Sequence, residues 1–176
     1  MRKIIINDHN LTKDDIELEV VRVKGLIINS RGKILLAHNN NTYQFPGGHK
    51  EDYESMEDCI KREILEETGI DLDVSEGPFL SITTYDKDYF DSGKKVLNTV
   101  YYYRFFTDLV PNFNNTHYDE LELETDFNLF YVDFSTLDEF LQKEVNLGHI
   151  DKKIGREMMH VVDVYNELFG GKLWKY

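Results

Sequence analysis

The chain has 176 residues, of which 41% are hydrophobic and 13% aromatic, and carries a net charge of −13 at pH 7. That length fits about one ordinary domain with a substantial core, and the apolar share excludes disorder of the chain as a whole. No basic stretch offsets the acidity, which excludes nucleic-acid backbone as a partner but not a small anionic substrate, because bound metal ions can invert a local field. The single cysteine, Cys59, cannot form an intramolecular disulfide and reads as a small structural thiol. No apolar run reaches membrane-spanning length. The N-terminus, Met1-Arg-Lys-Ile-Ile-Ile-Asn-Asp, is too short and too soon polar for a signal peptide, so a soluble cytoplasmic protein with no membrane partner is expected.

In chain order, Met1 to Asp8 reads as a short strand followed by polar turns through Asp15. Glu17 to Asn29 is strand-like and β-branched, with Gly25 marking a bulge or a close approach. Ser30-Arg-Gly-Lys33 predicts a hairpin turn into Ile34–His38, and Asn39-Asn-Asn41 a second turn. Tyr43-Gln-Phe-Pro-Gly-Gly48 then leads towards a helix from Ser55 to about Thr68. Ser55 is the expected N-cap, Glu57 and Asp58 fall in the first turn, and Gly69 is the expected C-cap. Phe79–Tyr85 and Val96–Thr107 predict a strand pair joined around Asp91-Ser-Gly93, followed by a polar loop from Pro111 to about Asp119. Phe127–Phe134 reads as a strand and Ser135 as an N-cap, with Leu137, Phe140 and Leu141 at helical spacing. Ile150–Phe169 is a further amphipathic helix. Mixed strands with helices before and after suggest an α/β sandwich; residues 1–134 are read as the core and 135–176 as helices packed on it.

One segment carries chemistry: Gly48-His-Lys-Glu-Asp-Tyr-Glu54, then Arg62-Glu63-Ile64-Leu-Glu66-Glu67-Thr-Gly69-Ile70. Glu63, Glu66 and Glu67 stand at i, i+3 and i+4, so their carboxylates share one helix face. Crowded like charges are costly unless a cation or a basic partner neutralises them, and clustered hard oxygens suit Mg²⁺ or Mn²⁺. Glutamates on an arbitrary helix are usually a solvated face. Here the ordered spacing, the flanking glycines and an apolar edge at Ile60 and Ile64 argue against that.

The segment resembles the box of the Nudix hydrolases, G-x5-E-x7-R-E-U-x-E-E-x-G-U with U aliphatic, at every fixed position. A chance match at average residue usage is on the order of one in ten million. The resemblance implies a Nudix-type α/β/α sandwich with a mixed sheet, here with a C-terminal helical extension. It also implies Glu63, Glu66 and Glu67 as ligands of divalent ions that bridge substrate phosphates and activate water, with the main-chain carbonyl of Gly47 a further candidate. Arg62 is expected to orient Glu54 or a box carboxylate through a bidentate pair. Many relatives add a carboxylate before the last core strand; Glu120, Glu122 and Glu124 are the candidates, with Glu124 favoured. Tyr43 stands where many relatives have tryptophan. Asp52 and Tyr53 replace their proline and glycine, which bears on the loop conformation but not on the ligands.

The implied activity is a pyrophosphohydrolase acting on a nucleoside triphosphate, or on a nucleoside diphosphate linked to another moiety. Tyr85 lies where dinucleoside-polyphosphate hydrolases carry a stacking tyrosine. Tyr101-Tyr-Tyr103 with Phe105-Phe106 offers a stacking face, although alternation sends half of these residues to the core. His49 is as consistent with a solvated loop as with the site. Two alternatives are weighed: a non-catalytic sensor of the same fold, and an isomerase like the isopentenyl-diphosphate isomerases. Sensors often lose box glutamates, which this chain retains, and the isomerases use a cysteine upstream of the box, whereas Cys59 lies inside it. A homodimer through the C-terminal helix and a monomer are both compatible with the sequence.

Overall fold

The computed structural model describes residues 1–39, 42–89, 92–116 and 127–170. Its strands are β1 (Arg2–Ile6), β2 (Leu18–Ile28), β3 (Lys33–Asn39), β4 (Thr42–Gln44), β5 (Leu80–Asp86), β6 (Val96–Phe106) and β7 (Asn128–Asp133). The helices are α1 (Met56–Thr68), α2 (Leu137–Leu147) and α3 (Lys152–Phe169). The turns expected at Asn40–Asn41 and at Asp91, and the candidates Glu120, Glu122 and Glu124, lie outside the described residues.

β2 and β6, both rich in β-branched and aromatic residues, run parallel from Leu18 opposite Val96 to Ile28 opposite Phe106. β5 joins β6 antiparallel, and β1 joins β5 in parallel. On the other side the sheet continues through β3 to β4, with β7 also antiparallel to β3, giving one mixed sheet in the order β1-β5-β6-β2-β3-β4. β2 and β3 meet in register only at Ile28 opposite Ile34. Below that point they diverge, and residues 46–50 fill the gap: Val23 N donates to Gly48 O (3.0 Å), Gly25 N to Pro46 O (2.8 Å) and Lys50 N to Val21 O (2.9 Å). The glycine turn ahead of α1 is thereby fastened to β2.

Alternation along β2 and β6 divides two apolar layers. Val23, Ile27, Tyr103 and Phe105 pack with Cys59, Ile60 and Ile64 of α1. Leu26, Ile28, Val100 and Tyr102 belong to the opposite layer with Leu137 and Leu141 of α2 and Met158, Val161, Val162 and Tyr165 of α3. The result is the expected α/β/α sandwich with C-terminal helices.

Two local expectations are revised. Ser135 is not the cap of α2: β7 ends at Asp133, whose carboxylate accepts from Ser135 N (3.3 Å), and one 3-10 turn, Phe134–Thr136, intervenes. Thr136 is the N-cap residue, its hydroxyl donating back to Asp133 O (3.3 Å) rather than capping the helix. Tyr43 and Gln44 belong to a short strand, β4, too brief for periodicity to reveal. Among the described residues, no helix is long and apolar enough to cross a membrane.

Candidate active site

Helix α1 is fixed at both ends. Ser55 Oγ accepts from Asp58 N (3.0 Å), and Gly69, at φ +67°, donates its N–H to Leu65 O (2.8 Å). Its apolar edge presses on β2 so closely that a Cβ on Gly25 would lie 2.9 Å from Ile64 Cδ1. This docking lays the carboxylate face of α1 against Gly47 and Gly48. Glu67 is buried, and its Oε2 accepts from Gly47 N at 2.9 Å. Gly47 has φ +126°, and a Cβ there would meet Val23 O at 2.3 Å. A Cβ on Gly48 would lie 2.3 Å from Glu63 Oε2. Gly47 is therefore required by both conformation and space, whereas a side chain at Gly48 would have to displace the Glu63 carboxylate.

Arg62 gathers the remaining acids. Its Nε and one terminal nitrogen form a fork on Glu54 at 3.0 and 2.7 Å, and the other terminal nitrogen reaches Glu63 at 2.8 Å and Glu66 at 2.9 Å. It also donates to His49 O at 3.1 Å. The guanidinium hydrogen bond holds the Glu54 carboxyl down at about 2, against an ordinary 4.5. Burial raises Glu63 in spite of Arg62, and burial pushes the Cys59 thiol up to about 12.

A residue that the sequence reading passed over completes the arrangement. Lys24 of β2 is buried, and its Nζ donates to the carbonyl of Gly47 and to Gln44 Oε1 (3.1 Å). Burial lowers its pKa, against the pull of Glu67 and Glu63. Gly47 thus joins the two faces of the sheet, its N–H bonded to α1 and its carbonyl to a lysine on the opposite face.

The donors suit a hard divalent cation in kind: carboxylate oxygens on one helix face beside a main-chain carbonyl. Among the described residues, however, no three His, Cys, Asp or Glu side chains are gathered tightly enough to hold an ion by themselves. Glu63 and Glu66 lean to Arg62, Glu67 to Gly47. The set therefore fits an ion held by a few carboxylates together with water and substrate oxygens, the usual manner for Mg²⁺.

His49 accepts from Arg22 Nε (3.0 Å), and burial holds its pKa down at about 4, a neutral ring that orients Arg22. On the face away from α1, a cleft of about 560 Å³ opens between the sheet and α3. Tyr85 lines it, and so does Tyr102, whose hydroxyl donates to Glu157 Oε1. Tyr103 packs on the α1 side, so the aromatic block is divided between the faces. Lys24, Arg22, Asn98 and Glu157 also line the cleft. The signal for the first two was Arg22 and Lys24 interrupting an otherwise apolar stripe at alternate positions of β2.

The profile of the NUDIX domain matches residues 19–150. Among solved structures, the chain is similar to a MutT protein from Methanosarcina mazei Go1, with 20% identity over 85% of this chain and 96% of that one, at a TM-score of 0.55. A mutator MutT protein from Bacillus halodurans matches with 18% identity over 81% of this chain and 82% of that one, at a TM-score of 0.54. At these identities the likeness is one of fold.

Proposed function

The chain belongs to the Nudix hydrolase family, and from that premise we propose that it is a divalent-metal-dependent pyrophosphohydrolase. The bond cleaved is a diphosphate linkage, in a nucleoside triphosphate or in a nucleoside diphosphate joined to another moiety. The observation that supports this most is the setting of the box acids, with Glu67 bonded to Gly47, Glu63 against Gly48, and Arg62 bonded to Glu54, Glu63 and Glu66. Glu63, Glu66 and Glu67 would hold Mg²⁺ or Mn²⁺, with the Gly47 carbonyl a further donor once Lys24 yields it, and Glu124 the proposed additional carboxylate. When bound, such an ion supplies a water of lowered pKa and stabilises charge on the phosphoryl oxygens. The chain's own residues orient and neutralise. Arg62 fixes the carboxylates in place, Lys24 offers a positive charge beside the glycine turn, and a box carboxylate accepts the proton of the attacking water.

The test is turnover of a panel of nucleoside triphosphates, dinucleoside polyphosphates, nucleotide sugars, ADP-ribose and NAD(H), with Mg²⁺ or Mn²⁺. Glu67→Gln, which keeps an acceptor for Gly47 N–H, should retain the fold and lose at least about 100-fold in rate. Near wild-type turnover in that variant would sink the ligand assignment. A second reading, a non-catalytic binding module, is favoured by one observation: arginine and lysine already neutralise the box acids. It predicts retained ligand with no turnover of any substrate.

A further inference from the structure

Two of the chain's own cations hold the groups offered above as metal donors. Arg62, within the box, takes Glu63 and Glu66. Lys24, outside the box, takes the Gly47 carbonyl and shares its Nζ with Gln44 Oε1 (3.1 Å). The carbonyl is presented rigidly, because Gly47 N is bonded to Glu67 Oε2 (2.9 Å) and the turn to β2 through Gly25 N and Pro46 O (2.8 Å). Lys24 is 7% exposed, so water does little to screen what surrounds it. Carboxylates attract its ammonium from both faces of the sheet: Glu67 and Glu63 from α1, Glu157 from α3. Glu157 accepts from the Tyr102 hydroxyl, and Tyr102 stands opposite Lys24 in the β2–β6 register.

A carbonyl oxygen can accept from two directions, so geometry alone does not forbid an ammonium and a metal ion on the same oxygen. Charge does. A divalent ion and an ammonium at contact distance repel strongly where the surroundings are not water. Lys24 must therefore release the Gly47 carbonyl for that oxygen to serve as a metal donor. The side chain has a place to go. Gln44 already shares its ammonium, Glu157 draws it towards α3, and a flexible four-carbon stem carries three rotatable donors.

We propose that Lys24 is a built-in competitor of the divalent ion: it holds the Gly47 carbonyl, limits the metal affinity of the site by having to release it, and turns towards Gln44 and Glu157 on release. The inference rests on the metal-dependent reading of the box and deepens it, adding a positioning residue of β2 that regulates how tightly the ion is held.

The test is calorimetric titration of Mn²⁺, without substrate, into the metal-stripped full chain as wild type, Lys24→Met, Glu157→Gln and the double variant. Lys24→Met should bind Mn²⁺ about tenfold more tightly than wild type, the scale of one contact to a charged group. A merely structural lysine predicts the opposite sign, because a loosened glycine turn would hold the ion less well. Glu157→Gln, which withdraws the charge that draws Lys24 away, should weaken Mn²⁺ binding about threefold, and the loss should vanish in the double variant. Without metal, Lys24→Met should melt below wild type, since the Gly47 carbonyl loses its donor, and saturating Mn²⁺ should narrow that gap. Lys24→Gln, which keeps a short N–H donor without the charge, carries the same expectation if Lys24→Met does not fold. Unchanged or weaker Mn²⁺ binding in a cooperatively melting Lys24 variant would overturn the role of Lys24. So would a Glu157→Gln loss that persists in full in the double variant. Wild type that binds no Mn²⁺ would overturn the metal-dependent reading and this inference with it, whereas normal wild-type binding with no gain on removing Lys24 would overturn this inference alone.

Discussion

At Gly47 three demands meet on one residue: a positive φ, no room for a Cβ beside Val23 O, and hydrogen bonds at both main-chain groups, the N–H donating to Glu67 and the carbonyl accepting from Lys24. Gly47→Ala should therefore cost about 2 kcal/mol or more, measured by urea denaturation, and turnover should fall with it. Cys59 is buried and its thiol is raised to about 12, so it stays protonated at neutral pH. Alkylation by iodoacetamide at pH 8 should be slow in the native protein and rapid in denaturant; rapid native labelling would contradict the packing of α1. The Glu54–Arg62 fork gives a pH signature. Glu54 has a depressed folded pKa, so its ionic contribution is present in full above the ordinary 4.5 and is lost as pH falls towards about 2. The stability gap between wild type and Glu54→Gln should be constant above about pH 5 and should close progressively below 4.5.

At the scale of elements, α1 was legible almost to the residue. Its caps, Ser55 and Gly69, are local chemistry, and local chemistry is written in adjacent residues. Ser55→Ala should cost about 1 kcal/mol, read from the urea midpoint, since it frees the Asp58 N–H. The fork from Arg62 to Glu54 was legible for the same reason, because both belong to one turn-and-helix segment. The strand β2 was legible too, but its partners were not. That Lys24 would meet Gly47, and that Asn98 would face α3, depend on β6 lying beside β2 and on residues 46–50 filling the gap towards β3. No spacing within a single stretch encodes such neighbours. Ser135 was misjudged because Asp133, two residues earlier, caps an intervening 3-10 turn and accepts from both the N–H and the hydroxyl of Ser135. Glu124 lies outside the described residues.

Across the whole molecule, stability rests on the apolar layer beneath α2 and α3 more than on the ions around it. Tyr165 is wholly buried there, its ring 5.0 Å from that of Phe134 and 5.9 Å from that of Phe79. Tyr165→Ala should cost about 3–5 kcal/mol in urea denaturation, the usual penalty for emptying a large aromatic site. The Arg2–Glu167 and Arg156–Asp8 pairs that fasten α3 at its rim are substantially exposed. Such pairs contribute little each and are screened by salt.

The strand order also has a consequence for synthesis on the ribosome. β1 is made first, yet its partner is β5, so it must wait until Asp86 has emerged before it can pair. The sheet face that α3 covers waits longer still, until residues 152–169 have been made. Throughout that interval Leu26, Ile28, Ile82 and Val100 form an apolar surface without its cover, and a nascent chain stalled near residue 150 would present that surface to chaperones or to its neighbours. Among the described elements the last to be added is thus the helix that also walls the cleft.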